Sequence, residues 1–183
     1  KYFEVYNNLG VALNDSKKPK DAISYLRKAL KINPHYPEAY NNLGNAFKEI
    51  ESLDQAIESY ENAIKLNPKF IDPYTNLAIV FASKKNENEK AEYYFKKALE
   101  ISPENSEALK YFSDFLVSIQ RYSEAKALLE KCVILVPRNP DVLNLLGQVY
   151  KSENFEKALE FYKNALHLSE DKESIQNNIG ALY

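Results

Sequence analysis

The stretch Tyr6–Gly10, YNNLG, recurs letter for letter at Tyr40–Gly44, with variants YTNLA at Tyr74–Ala78 and QNNIG at Gln176–Gly180. Inside a helix this is an unfavourable choice: glycine costs about 1 kcal/mol against alanine, and asparagine competes for backbone hydrogen bonds. Its repetition therefore points to something other than helix propensity. Aligned on the last residue of the stretch, Gly10, Gly44, Ala78, Ser113, Gly147 and Gly180 are spaced by 34, 34, 35, 34 and 33 residues, and every glycine of the chain lies in this column. Two further columns keep step: Pro34, Pro68, Pro103 and Pro137, with Glu170 at the next place, and Ala22, Ala56, Ala91, Ala125 and Ala158. Such self-similarity at a fixed period is the mark of a repeat architecture.

Within each unit the apolar residues follow helical spacing in two blocks. In the second unit Tyr40, Leu43, Gly44 and Phe47 form one i, i+3, i+4, i+7 stripe, and Ala56, Tyr60, Ala63 and Ile64 form another. Between them Ser52 and Gln55 have capping-box spacing for the second helix. The unit closes on Leu66-Asn67-Pro68, where proline cannot continue a helix. Each unit reads as helix, short turn, helix, stop. Glycine in the first helix and alanine in the second predict a close backbone crossing flanked by aromatics. One such hairpin cannot bury its stripes alone, so neighbours stack into a solenoid.

The unit resembles the tetratricopeptide repeat (TPR), whose pattern is an aromatic, Leu-Gly, Tyr, Ala, an aromatic, Ala and Pro; those places are filled here by Tyr40, Leu43, Gly44, Phe47, Ala56, Tyr60, Ala63 and Pro68. The resemblance implies an all-α, right-handed superhelical solenoid with units at about 3–36, 37–70, 71–105, 106–139 and 140–172, then the first helix of a sixth over 173–183. It departs from the pattern at Leu109, Leu143 and Ser113. The third unit gains a residue within Ser83–Lys90, a segment expected to protrude and to be mobile, and the fifth loses one near Lys151–Asn154. The resemblance also implies a protein-interaction scaffold whose first helices line a concave face.

The side of the first helix opposite its core stripe then supplies the candidate binding residues. One column runs Asn8, Asn42, Asn76, Tyr111, Leu145, Asn178; its neighbour runs Asn7, Asn41, Thr75, Lys110, Asn144, Asn177; a third runs Val11, Asn45, Ile79, Asp114, Gln148, Ala181. A carboxamide carries both donor and acceptor and can meet a peptide N–H and C=O together. These columns are similar to the asparagine ladder in the TPR superhelix of O-linked N-acetylglucosamine transferase, which implies backbone capture of an extended peptide by Asn8, Asn42, Asn76 and Asn178. Tyr111 and Leu145 interrupt the ladder. Exposed asparagine as simple polar filler, bonding a neighbouring turn, is the alternative reading.

A further column, Glu4, Glu38, Asp72, Glu107 and Asp141, is acidic throughout. It complements the positive end of each first helix, and it would also form a groove edge favouring basic or hydroxyl-rich peptides. The groove cations, Lys48, Lys110 and Lys151, are too few for a cradle binding a terminal carboxylate.

The net charge of −2, with acids and bases mixed, argues against a nucleic-acid surface, and no apolar run is long enough for a membrane span. The single Cys132 excludes an intramolecular disulfide and a cysteine-based zinc site; it occupies an alanine place and reads as a small core residue. That cysteine usage suits a cytoplasmic location and is also compatible with a periplasmic one. His35 and His167 have no partner at metal-ligand spacing, and the Asn14-Asp15-Ser16 sequon is the kind of match chance supplies. No catalytic constellation, metal site or cofactor motif is present, so the segment is not expected to be an enzyme. The chain lacks methionine and begins and ends within helical pattern, as expected of a segment of a longer protein. It could then be the substrate-recruiting arm of an enzyme such as a glycosyltransferase. Self-association through terminal repeats is a further reading, because Ile179, Leu182 and Tyr183 are expected to lie uncovered.

Overall fold

The computed structural model describes residues 2–170 and 172–183, which form eleven α-helices and no strand. Five antiparallel pairs follow one another: α1 (Tyr2–Asp15) with α2 (Pro19–Ile32), α3 (Pro37–Glu49) with α4 (Leu53–Leu66), α5 (Ile71–Ser83) with α6 (Asn88–Ile101), α7 (Ser106–Ser118) with α8 (Tyr122–Leu135), and α9 (Pro140–Tyr150) with α10 (Phe155–Leu168). A shorter α11 (Glu173–Gly180) follows. The helices gather into two compact units, Lys1–Ile101 and Ser102–Tyr183. Within each unit a second helix packs on the next first helix, and successive first helices touch (α1 with α3, α3 with α5, α7 with α9). The first helices thus share one continuous face in each unit.

At Gly10, Gly44 and Gly147 the glycine column is explained by a bulky side chain, a ring at the last two, and not by a backbone crossing. A Cβ on Gly44 would lie 2.5 Å from Tyr60 Cε1, one on Gly147 2.4 Å from Tyr162 Cε1, and one on Gly10 2.6 Å from Leu26 Cγ. The bulky residue of the second helix therefore sits directly on the glycine of the first, which corrects the expectation that aromatics only flank the crossing. Ala78 and Ser113, which stand in the glycine column, are buried, as are Phe95 and Leu129 in the second helices of their units. Each alanine of the periodic column, and Cys132 in its alanine place, is fully buried.

The turn inside each of the first four pairs has one residue in the left-handed region: Lys17 (φ 58°), Glu51 (59°), Asn86 (67°) and Gln120 (62°). The residue lost from the fifth unit removes this kink, and α9 instead runs out through Lys151 in right-handed helical geometry. The residue gained by the third unit is absorbed in the short turn Lys84–Glu87, because Ser83 ends α5 and Asn88–Lys90 already belong to α6. In that turn Lys84 Nζ lies 2.9 Å from Asp54 Oδ1.

Capping differs from the expected pattern. Ser52 stands at the N-cap of α4 but its side chain makes no cap bond. Asparagine does the capping elsewhere: Asn105 Oδ1 accepts from Ala108 N at 2.8 Å, Asn139 from Asp141 N and Val142 N at 3.0 and 3.2 Å, and Asn154 from Lys157 N at 2.9 Å. At the end of the chain Ile179 and Leu182 are half-buried, while Tyr183 is exposed with its ring edge against Phe155, 5.6 Å between centroids. Only the last of these three is uncovered.

Candidate functional site

Helical periodicity places both asparagines of YNNLG away from the core of their own hairpin. Packing separates them. Asn7 and Asn41 are each only 5% exposed, closed into the seam between successive first helices, whereas Asn8 is exposed and Asn42 and Asn76 are half-buried. The seam is stitched by carboxamides. Asn42 Nδ2 donates to Asn7 Oδ1 at 2.9 Å, and Asn76 Nδ2 donates to Asn41 Oδ1 at 3.0 Å. In the second unit Asn178 Nδ2 donates to Asn144 Oδ1 at 2.9 Å. Asn7 Nδ2 also donates to Asn8 Oδ1 at 3.3 Å. The expectation that Asn7 and Asn41 lie open to the groove is therefore corrected: a buried carboxamide needs a partner, and the next repeat supplies it.

This stitch orients the second asparagine column. Asn42 and Asn76 each spend one N–H on the preceding repeat, and among the described residues their Oδ1 and second N–H are uncommitted. Asn45, further along the same face, accepts from the Tyr60 hydroxyl at 2.8 Å. Burial raises the Tyr60 phenol well above its ordinary range, with Glu49 adding to the effect, so the hydroxyl stays a donor. A core ring thus reaches through its hairpin to hold a surface carboxamide. Sequence spacing alone did not show this pair.

In the second unit the same face holds a cleft of about 340 Å³, lined by Lys110, Tyr111 and Asp114 of α7, Asp141, Asn144, Leu145 and Gln148 of α9, and Ser174 of α11. Tyr111 and Leu145, which break the asparagine columns, form part of its wall. Lys110 Nζ donates to Asp141 Oδ2 at 3.3 Å and stands 4.4 Å from the Tyr111 ring centroid. Burial works against the lysine charge, but Tyr111, Asp141 and Glu107 outweigh it and hold the ammonium above its usual range. Burial also raises the Asp114 carboxyl; Lys110 opposes this and Asp141 reinforces it. In this cleft two carboxylates face one ammonium. Of the remaining expected residues, Asn177 is exposed on α11.

Glu4, Glu38, Asp72, Glu107 and Asp141 occupy the first turns of α1, α3, α5, α7 and α9, all exposed. Lys48 is half-buried, and burial lowers its ammonium despite Glu49 nearby. His35 is exposed between α2 and α3, and His167 lies in the last turn of α10. Cys132 is buried; its thiol is raised by burial and contacts the Ser106 carbonyl at 3.4 Å. Among the described residues no three His, Cys, Asp or Glu side chains converge as metal ligands, and no helix is long and apolar enough to cross a membrane.

Tetratricopeptide-repeat family models match residues 3–36 and 37–70, 82–149, and 142–176. The chain belongs to the tetratricopeptide-repeat family. A search of curated protein sequences finds no significant match. Among solved structures the chain is similar to a thermophilic TPR protein of Thermus thermophilus, at 19% identity and TM-score 0.79, covering 98% of each chain. It is similar to PilF of Pseudomonas aeruginosa, at 18% identity and TM-score 0.86, covering 99% of this chain and 88% of that one. It is also similar to YrrB, described as a TPR protein with an unusual peptide-binding site, at 25% identity and TM-score 0.66, covering 94% of this chain and 89% of that one. These likenesses show an all-helical TPR solenoid, a fold that serves as a protein–protein interaction scaffold.

Proposed function

We propose that the chain captures an extended peptide along its first-helix face, with carboxamides of the second asparagine column bonding the peptide backbone. One observation carries this reading. Asn42 and Asn76 are each fixed by a single bond to the preceding repeat while an acceptor and a donor remain free. A group already held in place loses little side-chain freedom on binding, so its hydrogen bonds are worth more. The acidic first turns of α1, α3 and α5, with Glu4, Glu38 and Asp72, favour a basic or hydroxyl-rich segment. The solved peptide-binding site of the similar TPR protein YrrB supports a peptide as the class of ligand.

The test must separate binding from stability, because removing Asn42 orphans the buried oxygen of Asn7. Peptides selected from a random library on the wild-type chain are titrated against Asn42→Ala plus Asn76→Ala, with Asn154→Ala, which removes a helix cap of α10 and touches neither asparagine column, as a destabilised control. Affinity is expected to fall at least about tenfold in the double variant, ~1.4 kcal/mol, and to hold in the control. Equal affinity in all three proteins, each shown folded by circular dichroism, sinks the proposal.

A further inference from the structure

The overall charge of −2 conceals a strongly cationic surface on the opposite side of the first repeat. Along α2, Lys20, Arg27, Lys28 and Lys31 are exposed around Ser24 and border a shallow cleft of about 360 Å³ floored by Ile23. None of these four cations has a carboxylate within ion-pair distance among the described residues. Some cations on other elements are paired, as in Lys84 with Asp54, Lys96 with Glu92 and Arg121 with Glu124, but among the described residues no other helix gathers four without a carboxylate around one cleft. The solenoid does not require the stripe. The places equivalent to Lys20, Ser24, Arg27, Lys28 and Lys31 hold Asp54, Glu58, Glu61, Asn62 and Lys65 in α4, and Glu156, Glu160, Lys163, Asn164 and His167 in α10. Helix stability accounts for only part of it: Lys31 in the last turn complements the helix dipole, but Lys20 lies in the first turn, where a positive charge opposes it. The one acid of this helix, Asp21, occupies that same turn.

We infer that the outer face of α2 is a second docking surface, for an acidic, carboxylate-bearing protein segment. Three features select that partner. Ala22, Ile23, Leu26 and Ala29 of α2 are buried in the fold, and Ile32 in the last turn is its one exposed large aliphatic residue, so the face lacks the broad apolar stripe that a basic membrane-surface helix inserts into a bilayer. The nearby rings are covered by the cations: Lys28 Nζ stands 4.4 Å from the Tyr25 centroid, and the Arg27 guanidinium 5.6 Å from that of Phe47. They are not free to stack nucleic-acid bases, which single-strand binders rely on. Arg27 and Lys31 are about 6 Å apart along the axis, from a rise of ~1.5 Å per residue. That is close to the ~6.6–6.8 Å between alternate side chains of an extended strand, and Arg27 offers a planar fork to a carboxylate.

A fluorescein-labelled oligoglutamate peptide, titrated into the full chain by fluorescence anisotropy, is expected to bind at low salt and weaken as salt is added. The charge reversal K20E/R27E/K31E is expected to lower affinity at least about tenfold, as the loss of several exposed ion pairs implies. Should the reversal fail to fold, K20Q/R27Q/K31Q provides the same comparison. Asn42→Ala plus Asn76→Ala leaves this binding unchanged, which separates the outer surface from the proposed groove. Unchanged affinity in the folded charge variants overturns the inference. So does binding of single-stranded oligothymidylate or of anionic phospholipid vesicles in the absence of peptide binding.

Discussion

At the scale of single residues, the fold turns on how little room lies above the glycine column. Gly44→Ala would drive a methyl against the buried Tyr60 ring at 2.5 Å, and overpacking of that kind costs about 1–3 kcal/mol. Gly180 has nothing within 4 Å of an added Cβ, so Gly180→Ala is expected to be neutral or to gain up to ~1 kcal/mol in helix propensity. Urea unfolding of the two variants gives the contrast. The buried rings also set an alkaline limit. Burial raises the Tyr162 phenol to about 12, so its neutral form is favoured by the folded state. Its contribution is complete below the ordinary tyrosine pKa and is lost as pH rises from there through about 12, at up to ~1.4 kcal/mol per pH unit. Tyr162→Phe is therefore expected to keep its stability better than wild type between pH 10 and 12, as thermal melts across that interval would show.

At the scale of helices and turns, caps and left-handed residues carry the testable differences. Asn139→Ala removes a side chain that bonds two backbone N–H groups and should cost about 1 kcal/mol. Ser52→Ala removes no cap bond and should cost only a few tenths. The sequence pointed to Ser52 because spacing alone suggests a capping box. Whether the side chain turns to its helix depends on the preceding turn, which here is spent on the left-handed Glu51. That turn is itself improvable: Glu51→Gly relieves a left-handed strain of ~1–2 kcal/mol against a glycine entropy term of roughly half that, for a net gain under about 1 kcal/mol. Chemical denaturation of this variant decides the sign.

At the scale of the whole molecule, stability in a stacked repeat is approximately a sum of hairpins and the interfaces between neighbours. The buried carboxamide stitch is one such interface. Asn41→Ala leaves the Asn76 N–H without its acceptor and opens a small void, with an expected cost of about 1–3 kcal/mol. It should also loosen the free edge of Asn76 on the first-helix face. Cys132 reports on the second unit. Its buried, raised thiol reacts only on opening, so native-state thiol labelling is expected to be slow and to accelerate in Gly147→Ala, where a Cβ would meet Tyr162 at 2.4 Å. Rapid labelling of the wild-type chain would contradict the packing described.

The amino-acid sequence by itself determined the period, the hairpin in each unit, the alanine and glycine columns and the helical class, because all of these rest on local spacing. It also held the stitch in a form not obvious beforehand. Asn7 with Asn42, Asn41 with Asn76 and Asn144 with Asn178 are paired, and where Lys110 replaces the first asparagine, Leu145 replaces the second. Only the tertiary structure decided which member of each YNNLG pair stays open beside the seam. A helical wheel separates a helix's own core side from the rest, but not solvent from the flank of the next repeat. That division depends on how far one hairpin is displaced and rotated against its neighbour, a long-range property. Packing closed Asn7 and Asn41 into the seam and left Asn42 and Asn76 half-open beside it.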